Sequence, residues 1–371
     1  MSTAAPQQDD AARLEQLWQE SRRVQGVSLG QDAWRRLKRD RASFAALLFL
    51  ALLGLLALLT PLLPLQPPRT VDTERKFLPP QVSPMFTATA PWIDDAGEIV
   101  EAKLEEGFGT PNPVNRMLMR MRAACFGRWE ATHWLGTDDL GRDQLSRLFW
   151  GARVSLLVGL VAALVSLVIG VSYGATSGYL GGWIDAAMMR VIDVLYSVPF
   201  IFIVIFLITV LSEASIKKTL LDYGIDRIVI FYVVVGAIYW LTMARVVRGQ
   251  VLSLKQQQFI EAARTIGCSR ARIIFQHLVP NLLSVIIVYL TLTIPRVMLF
   301  EAFLSFLGLG VEPPDVSWGL LANEGAKHIT PISIVWWLIV GPGLALGSTC
   351  IALNRLGDGL RDALDPRLKH R

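Results

Sequence analysis

The chain has 371 residues, of which 53% are hydrophobic and 18% are charged, and its formal net charge is +5. Soluble domains contain about 45–50% apolar and about 25% charged residues, so this composition excludes an ordinary soluble enzyme. It also excludes a disordered chain, because disorder requires low hydrophobicity and high net charge. Three cysteines are too few for a secreted domain held together by disulfide bonds. The composition therefore predicts an integral membrane protein with substantial polar parts.

The N-terminal segment, residues 1–43, is polar and is predicted to lie in the cytoplasm and to contain a short juxtamembrane helix. Trp34, Leu37 and Arg41 are at helical spacing, so they would share one face of that helix. Either this face lies on the membrane surface with nearby arginines close to lipid phosphates, or the helix is a solvated lead-in to the first span. The sequence leaves both interpretations open.

Six apolar segments are long enough, or nearly so, to cross a membrane. A helix that crosses the roughly 30 Å hydrocarbon core needs about 20 mostly apolar residues. Open strands are excluded there, because lipid cannot satisfy their backbone hydrogen bonds. The sequence therefore predicts an all-α integral membrane protein with six transmembrane helices. The predicted spans are residues 44–64, 154–176, 194–212, 228–244, 278–304 and 333–354.

Lysines and arginines indicate which side of the membrane each short loop occupies, because the short loops that are rich in these residues stay in the cytoplasm. Across the flanks of the predicted spans, 17 lie on one side and 4 on the other. This asymmetry places the N and C termini in the cytoplasm and accounts for most of the net positive charge. The basic residues are not interleaved with stacking aromatic residues, so no nucleic-acid partner is expected.

The longest polar segment, residues 65–148, is predicted to form a periplasmic (external) loop domain between the first and second helices. It contains eight prolines before about residue 114, which leave little room for regular structure. A short helix is predicted over residues 115–128. The rest of the chain divides into a transmembrane permease domain, residues 149–356, and a cytoplasmic C-terminal tail, residues 357–371.

Glycines spaced four apart follow the start of the second span. Gly170 and Gly174 predict a face on which another helix packs closely, as in other small-residue motifs of membrane helices. Gly178 and Gly182 are assigned to the turn that follows the helix.

The cytoplasmic loop at residues 245–281 is longer than a connection between helices needs to be. Its Glu-Ala-Ala sequence at 261–263 favours a helix, which Gly267 can end by adopting a left-handed conformation. Ser269 is placed to cap a second helix, and Pro280 is predicted to begin the fifth span. Two short helices joined by a glycine turn would present a rigid surface to a soluble partner. The plainer interpretation is an amphipathic connector on the membrane surface.

The loop sequence FIEAARTIGCSRARIIFQHLVPN resembles the EAA loop of permease subunits of bacterial ABC importers. HWLGTDDLGRD, FLSFLGLG and GDGLRDALDP resemble segments of the oligopeptide/dipeptide permease family. SVPFIFIVIF and ARVVRGQVLSLK are most similar to the branch of that family formed by the oligopeptide permease C subunits. The resemblance covers about residues 28–64 and 132–371, and residues 65–131 are longer than the family pattern suggests.

The resemblance implies the ABC type I importer permease fold, in the bacterial cytoplasmic (inner) membrane. It implies a heterodimer with a second permease subunit, two ATPase subunits, and a periplasmic or lipid-anchored peptide-binding protein that delivers a peptide substrate. No catalytic residue or cofactor is expected in this chain; ATP and Mg would bind the ATPase subunits, and no phosphate-binding loop motif is present here. The family's coupling positions fall on Glu261, Ala262, Ala263, Arg264, Gly267 and Ser269.

Three residues are candidates for the translocation pathway. Arg296 and Glu301 interrupt the fifth span, and charges inside membranes usually face partners or water. The alternative is that they mark the outer end of that span. Pro199 should kink the third helix near its cytoplasmic end, which could serve gating or packing alone.

Other functions remain open on the sequence alone. A dipeptide or nickel importer of the same architecture would have nearly the same sequence pattern. A membrane-embedded enzyme would require paired catalytic residues within the spans, and a membrane scaffold would not need the coupling loop. His133, near Asp138 and Asp139, resembles a metal site only in composition, and no metal is expected.

Overall fold

The computed structural model describes residues 29–211, 213, 215, 216, 219, 227–330 and 335–364, and this part of the chain is mostly helical. One of the helices numbered below, α10, is composite: it consists of Arg270–Arg272, a π-helical turn at Ile273–Leu278, and Val279–Asn281. Two short strands, β1 Phe86–Ala88 and β2 Trp129–Ala131, pair in antiparallel register. The helices are α1 Leu29–Arg39, α2 Arg41–Leu58, α3 Glu101–Phe108, α4 Pro113–Phe126, α5 Gln144–Leu180, α6 Gly182–Ser197, α7 Phe200–Leu211, α8 Arg227–Leu254, α9 Gln258–Thr265, α10 (residues 270–281), α11 Leu283–Phe306, α12 Trp318–Lys327 and α13 Trp337–Leu364.

Four of the described helices, α2, α5, α11 and α13, are long and apolar enough to cross a membrane, and the bent pair α6–α7 would make five. The predicted span at 228–244 falls within α8, which is helical but is not among these four. A multi-pass helical membrane protein is therefore confirmed, while the count of six spans and the orientation stay predictions.

α5 is the longest helix and packs along α8. Its 37 residues correspond to a length of about 55 Å, so it extends well beyond the predicted span 154–176. A side chain at Gly170 would lie 2.7 Å from the Cβ atom of Met243 on α8. The predicted glycine packing face is therefore confirmed.

The glycine face extends further than the sequence prediction. A side chain at Gly178 would lie 2.9 Å from the Arg248 carbonyl oxygen on α8, so Gly178 belongs to the packing face rather than to the turn. The turn itself is formed by Gly181 and Gly182, whose φ angles are +67° and +56°.

The predicted third span, residues 194–212, is wrong in its bounds. The chain forms two helices there, α6 and α7, whose axes differ in direction by 81°. Pro199 lies between them, and Val198 before it adopts an extended conformation with ψ of 124°. A residue that precedes proline is disfavoured in the helical region, so Pro199 breaks the helix rather than kinking it.

The fifth and sixth spans also have different bounds from those predicted. α11 begins at Leu283, because residues 279–281 end α10 and Leu282 separates the two helices. Pro280 therefore lies in the last turn of α10 and does not begin the span. α13 continues to Leu364, so the first part of the predicted tail 357–371 is helical. Residues 333 and 334 of the predicted sixth span and residues 365–371 of the predicted tail lie outside the described residues.

α1 packs against the end of α13. Leu37 of α1 is 4% exposed and belongs to a cluster with Ala352 and Leu356 of α13, whereas Trp34 is 46% exposed. Part of the predicted apolar face is thus covered by protein.

Asp40 caps α2 by accepting hydrogen bonds from the Ala42 amide at 3.3 Å and the Ser43 hydroxyl at 2.5 Å.

Between α2 and α5 the chain builds a small hydrophobic core of its own. Trp92, Ile93, Leu104 and Met119 are buried there, with Phe108 packed edge-on to Trp92. The predicted helix at 115–128 is confirmed as α4, which begins and ends two residues earlier. α3 and the β1–β2 pair were not predicted. Because of the two strands, the chain is mostly helical rather than all-α.

Candidate functional site: the predicted coupling loop and the charged clusters

The predicted coupling loop forms two helices joined at Gly267. α9 ends after Thr265, and Gly267 has a φ of +83°, the left-handed conformation that glycine adopts most easily. Ser269 caps α10, and its hydroxyl oxygen accepts a hydrogen bond from the Arg272 amide at 3.4 Å. The helix–glycine–helix arrangement read from the sequence is therefore confirmed.

One face of α9 is fixed to the rest of the chain. Ile260 is fully buried and Ala263 is 4% exposed, and both pack in the cluster that contains Val251 of α8 and Ile273 of α10. Arg264 lies over the ring of Tyr179 on α5, 5.2 Å from its centroid. α9 is thus anchored to three helices, which makes it a rigid part of the fold.

The opposite face of α9 is exposed. Glu261 and Ala262 are exposed, and the side chain of Ile266 is 79% exposed just after the helix. Phe259 is 38% exposed. Ala263, by contrast, lies on the buried face, so its side chain is not part of the exposed surface. Ile266 and Phe259 were not among the predicted residues. Phe259 is four residues before the buried Ala263 and Ile266 is three residues after it, so helical spacing alone would not have indicated their exposure.

Two ion pairs join α6 to α8. Asp185 accepts two hydrogen bonds from the guanidinium of Arg248, both at 2.6 Å, and a third from the Ser177 hydroxyl on α5. Asp193 is paired with Arg245 at 2.7 Å. A two-pronged arginine–carboxylate contact fixes geometry as well as charge. Sequence reasoning missed Asp185 and Arg248, whose pairing depends on helix packing.

A groove of about 450 Å³ lies between α8, α11 and α13. Arg296 of α11 and Arg361 of α13 line it, and both side chains are exposed. The groove is lined further by Gln250, Ser284, Tyr289 and Leu292. It brings Arg296, a predicted pathway residue, together with Arg361, which the sequence did not single out.

Glu301 lies apart from this groove, in the packed interior. It is fully buried, and it accepts hydrogen bonds from the hydroxyls of Ser305 at 2.8 Å and Ser155 at 3.4 Å. The Ser155 oxygen in turn accepts a hydrogen bond from the Trp318 amide at 3.1 Å. Glu301 thus connects α5, α11 and α12. Its environment is that of a structural hydrogen-bond network, and its predicted place in the pathway stays a prediction.

Residues in the first turn of α5 and in the segment before it form a charge cluster with α12. Arg147 is 1% exposed and contacts Asp138 at 2.5 Å and Glu324 at 2.7 Å, while Arg142 contacts Asp138 at 2.7 Å. His133 lies beside this cluster, with its Nδ1 atom 3.1 Å from Asp143. Among the described residues, no group of three potential ligands is arranged to hold a metal ion.

The sequence profile of the family described as "Binding-protein-dependent transport system inner membrane component" matches residues 155–370, which include the predicted coupling loop and all the residues that line the groove. The chain belongs to this permease family. A second profile, described as the N-terminal TM domain of oligopeptide transport permease C, matches residues 28–80. The family predicted from the EAA loop is thus confirmed, and with it an inner-membrane location and the role of a transport subunit rather than an enzyme or a scaffold.

Individual relatives agree with this assignment. The permease is 48% identical to the oligopeptide transport system permease protein OppC of Escherichia coli (strain K12) over 238 residues, which are 64% of this chain and 74% of the relative. The corresponding OppC of Haemophilus influenzae is 37% identical over 348 residues, 94% of this chain and 92% of the relative. The dipeptide transport system permease protein DppC of Bacillus subtilis (strain 168) is 43% identical over 239 residues, 64% of this chain and 70% of the relative.

Proposed function

We propose that this permease is one of two membrane subunits of an ATP-driven ABC importer that takes up oligopeptides across the cytoplasmic membrane. The observation that carries the proposal is α9, a short helix of the EAA loop that is anchored on one face and exposed on the other. The substrate class is supported by relatives that are named as oligopeptide permeases and are 37% and 48% identical to this chain.

The coupling step would use the exposed face of α9. Glu261, Ala262 and Ile266 would contact an ATPase subunit, while Ile260 and Ala263 transmit its movement to α8 and α10 through the buried cluster. Arg264, Gly267 and Ser269 would position α9 by their contacts and turn geometry. ATP and Mg would bind the ATPase partners.

The complete transporter would also contain a second permease subunit and a periplasmic or lipid-anchored peptide-binding protein. Six spans with both termini in the cytoplasm would place α9 towards the ATPase subunits and residues 65–143 towards the binding protein. The positive-inside asymmetry of 17 basic residues against 4 supports this orientation.

The groove between α8, α11 and α13 is the best candidate for the part of the pathway that this chain contributes. Arg296 and Arg361 would attract the carboxylates of a passing peptide, since guanidinium groups pair well with carboxylates. Pro199, at the break between α6 and α7, would allow α7 to move relative to α6. Glu301 would stabilise the wall of the pathway from behind.

Co-purification tests the coupling assignment. Ile266→Asp and Glu261→Ala should reduce the amount of ATPase subunits recovered with the permease, because they alter the exposed face of α9 and leave its buried face intact. Asp358→Asn, an exposed change on α13, is the matched control and should recover the wild-type amount. Undiminished recovery with both α9 variants, together with normal uptake, would overturn the coupling role.

Uptake by the reconstituted transporter tests the substrate class. With the cognate binding protein present, peptides of three to five residues should be taken up in an ATP-dependent manner. Preferential uptake of dipeptides would favour the alternative that the Bacillus subtilis relative's name suggests. Uptake of nickel without peptide would favour a nickel importer of the same architecture.

A further inference from the structure

The external segment between α2 and α5 presents an exposed apolar strip that the transport role does not explain. On α4, Val114 and Met117 are each 62% exposed and Met121 is 44% exposed. Their spacing of three and four residues places them on one face of the helix. The lipid-facing leucines of α2 have similar exposure: Leu52 is 56% and Leu58 is 60% exposed.

The height of α4 relative to the membrane follows from two contacts. α4 packs against the short turn Thr60–Leu62, immediately after α2 ends. Near its start, the Asn115 side-chain oxygen accepts a hydrogen bond at 2.9 Å from Arg153 of α5. Since Arg153 directly precedes the predicted span at 154, both contacts place α4 where two spans leave the membrane.

Two further features mark the same level. The Thr60 hydroxyl reaches the Phe149 carbonyl oxygen at 3.5 Å, so the end of α2 and the region before the α5 span are side by side. Arg153 lies over the ring of Trp150, 5.0 Å from its centroid. Tryptophan and arginine are typical of the membrane–water interface.

We propose that α4 lies in the membrane surface at the side where α2 ends, with Val114, Met117 and Met121 inserted at the headgroup–acyl boundary. The exposed strip is then continuous with the lipid-facing surface of α2. Arg120, exposed at the edge of the strip, would lie near lipid phosphates. A helix with one apolar face and a cationic edge is the kind that binds an interface in this way.

The opposite face of α4 explains why the helix would hold this orientation. Met119 and Arg122 are buried in the small core of the external segment, where Arg122 is paired with Glu130 at 2.9 Å. Arg116 contacts Glu101 and Glu105 on α3 at 3.3 and 3.8 Å. With these faces committed to protein, the strip is left facing outward beside the spans. The external core would thereby be attached to the membrane as well as to α5.

Fluorescence quenching tests the proposal on the complete transporter in nanodiscs of phosphatidylethanolamine and phosphatidylglycerol. Met117→Cys is placed in a Cys125→Ser, Cys268→Ser, Cys350→Ala background and labelled with bimane. The expected result is strong quenching by doxyl-labelled phosphatidylcholine added to the nanodisc and weak quenching by iodide in the buffer. Lys103→Cys on α3, an exposed position of the same external unit, is the matched control and should show the reverse.

Two outcomes would overturn the proposal. Strong iodide quenching at Met117→Cys would show that the strip faces water, and protection from both quenchers would show that a protein, such as the binding protein, covers it. Met121→Cys provides a second position on the same strip if the first variant does not assemble. The measurement needs no transported substrate. A negative result for α4 therefore does not contradict the proposed transport function, and a failure of peptide uptake does not contradict the proposal for α4.

Discussion

At the scale of single residues, a buried ion pair supports the small core between α2 and α5, which we call the external core after its predicted location. Arg122 and Glu130 are 1% and 2% exposed, and Glu130 also accepts a hydrogen bond from the Trp92 indole at 3.2 Å. Burial raises the pKa of the Glu130 carboxyl and lowers the pKa of Arg122 to about 10. Each charge is therefore costly alone and is tolerated because the other compensates it.

Removing one partner should be much more damaging than removing an exposed charge. Glu130→Gln leaves Arg122 buried without its counter-charge and should cost about 3–5 kcal/mol in the free energy of unfolding. Glu105→Gln, which weakens the exposed pair with Arg116, should cost about 0–1 kcal/mol. Denaturant unfolding followed by tryptophan fluorescence in detergent would measure both. Equal losses would contradict this account of the core.

Asp143 caps the start of α5, and its buried carboxyl group should make the stability of the protein depend on pH. Its side chain accepts a hydrogen bond from the Ser146 amide at 2.7 Å and lies beside His133. Burial nevertheless raises the pKa of the Asp143 carboxyl above its ordinary value of 3.8. The folded state therefore binds this proton more readily than the unfolded state. The stabilisation is present below about pH 4 and is lost as the pH rises through the raised pKa.

Asp143→Asn should remove this contribution while keeping an oxygen for the helix cap. The wild-type unfolding temperature should fall more between pH 4 and pH 7 than that of the variant, as measured by differential scanning fluorimetry. Asp95→Asn, an exposed change at a residue that contacts Arg128, serves as control and should keep the wild-type pH dependence. A variant with the same pH dependence as the wild type would rule out Asp143 as its source.

At the scale of helices, close packing of α5 on α8 requires glycine. A side chain at Gly170 would come within 2.8 Å of the Trp240 carbonyl oxygen, whereas one at Gly249 would meet nothing within 4 Å. Gly170→Ala should therefore lower stability by about 1–3 kcal/mol through overpacking. Gly249→Ala on α8 should be neutral or stabilising by up to about 1 kcal/mol. Thermal aggregation in detergent would compare the two, and equal stability would argue against the glycine face.

Local signals explain which helices were predicted correctly. The α9–Gly267–α10 arrangement depends on a left-handed glycine and a serine cap, both of which act within a few residues. α3, the β1–β2 pair and the Arg122–Glu130 contact depend on residues that are distant in sequence, and the prolines around them favoured an irregular loop. The break at Pro199 was anticipated as a kink, but hydropathy carries no information about the direction of a helix.

In the candidate site too, the residues of a contiguous motif were predicted correctly, whereas features that depend on packing between helices were not. Glu261, Gly267 and Ser269 were predicted because the motif is contiguous, and the structure places them on or beside the exposed helix α9. The burial of Ala263 and the exposure of Ile266 depend on which face of α9 meets α8 and α10. The presence of Arg296 and Arg361 in the lining of one groove depends on the packing of α11 on α13. Sequence periodicity does not specify such packing between distant helices.

At the scale of the whole molecule, the two polar regions should lie on opposite sides of the membrane. The external core is attached through α4 and Arg153 to one end of α5, which is residues 144–180, and α9 is attached through Arg264 and Tyr179 to the other end. The two attachment points on α5, Arg153 and Tyr179, are separated by about 39 Å along the helix axis, which is longer than the roughly 30 Å hydrocarbon core. The same helix therefore separates the external core from α9 by more than the thickness of the hydrocarbon core.

Labelling of two cysteines tests this arrangement and the orientation together. Lys103→Cys in a background with Cys125→Ser should react with a membrane-impermeant maleimide in intact cells, because α3 belongs to the external core. The native Cys268, half-buried beside α9, should react only in inverted vesicles, and the buried Cys350 should react in neither until the protein is denatured. Labelling of both from the same side would contradict the separation by α5. Labelling of Cys268 in intact cells and of Lys103→Cys in inverted vesicles would keep the separation and reverse the orientation inferred from the basic residues.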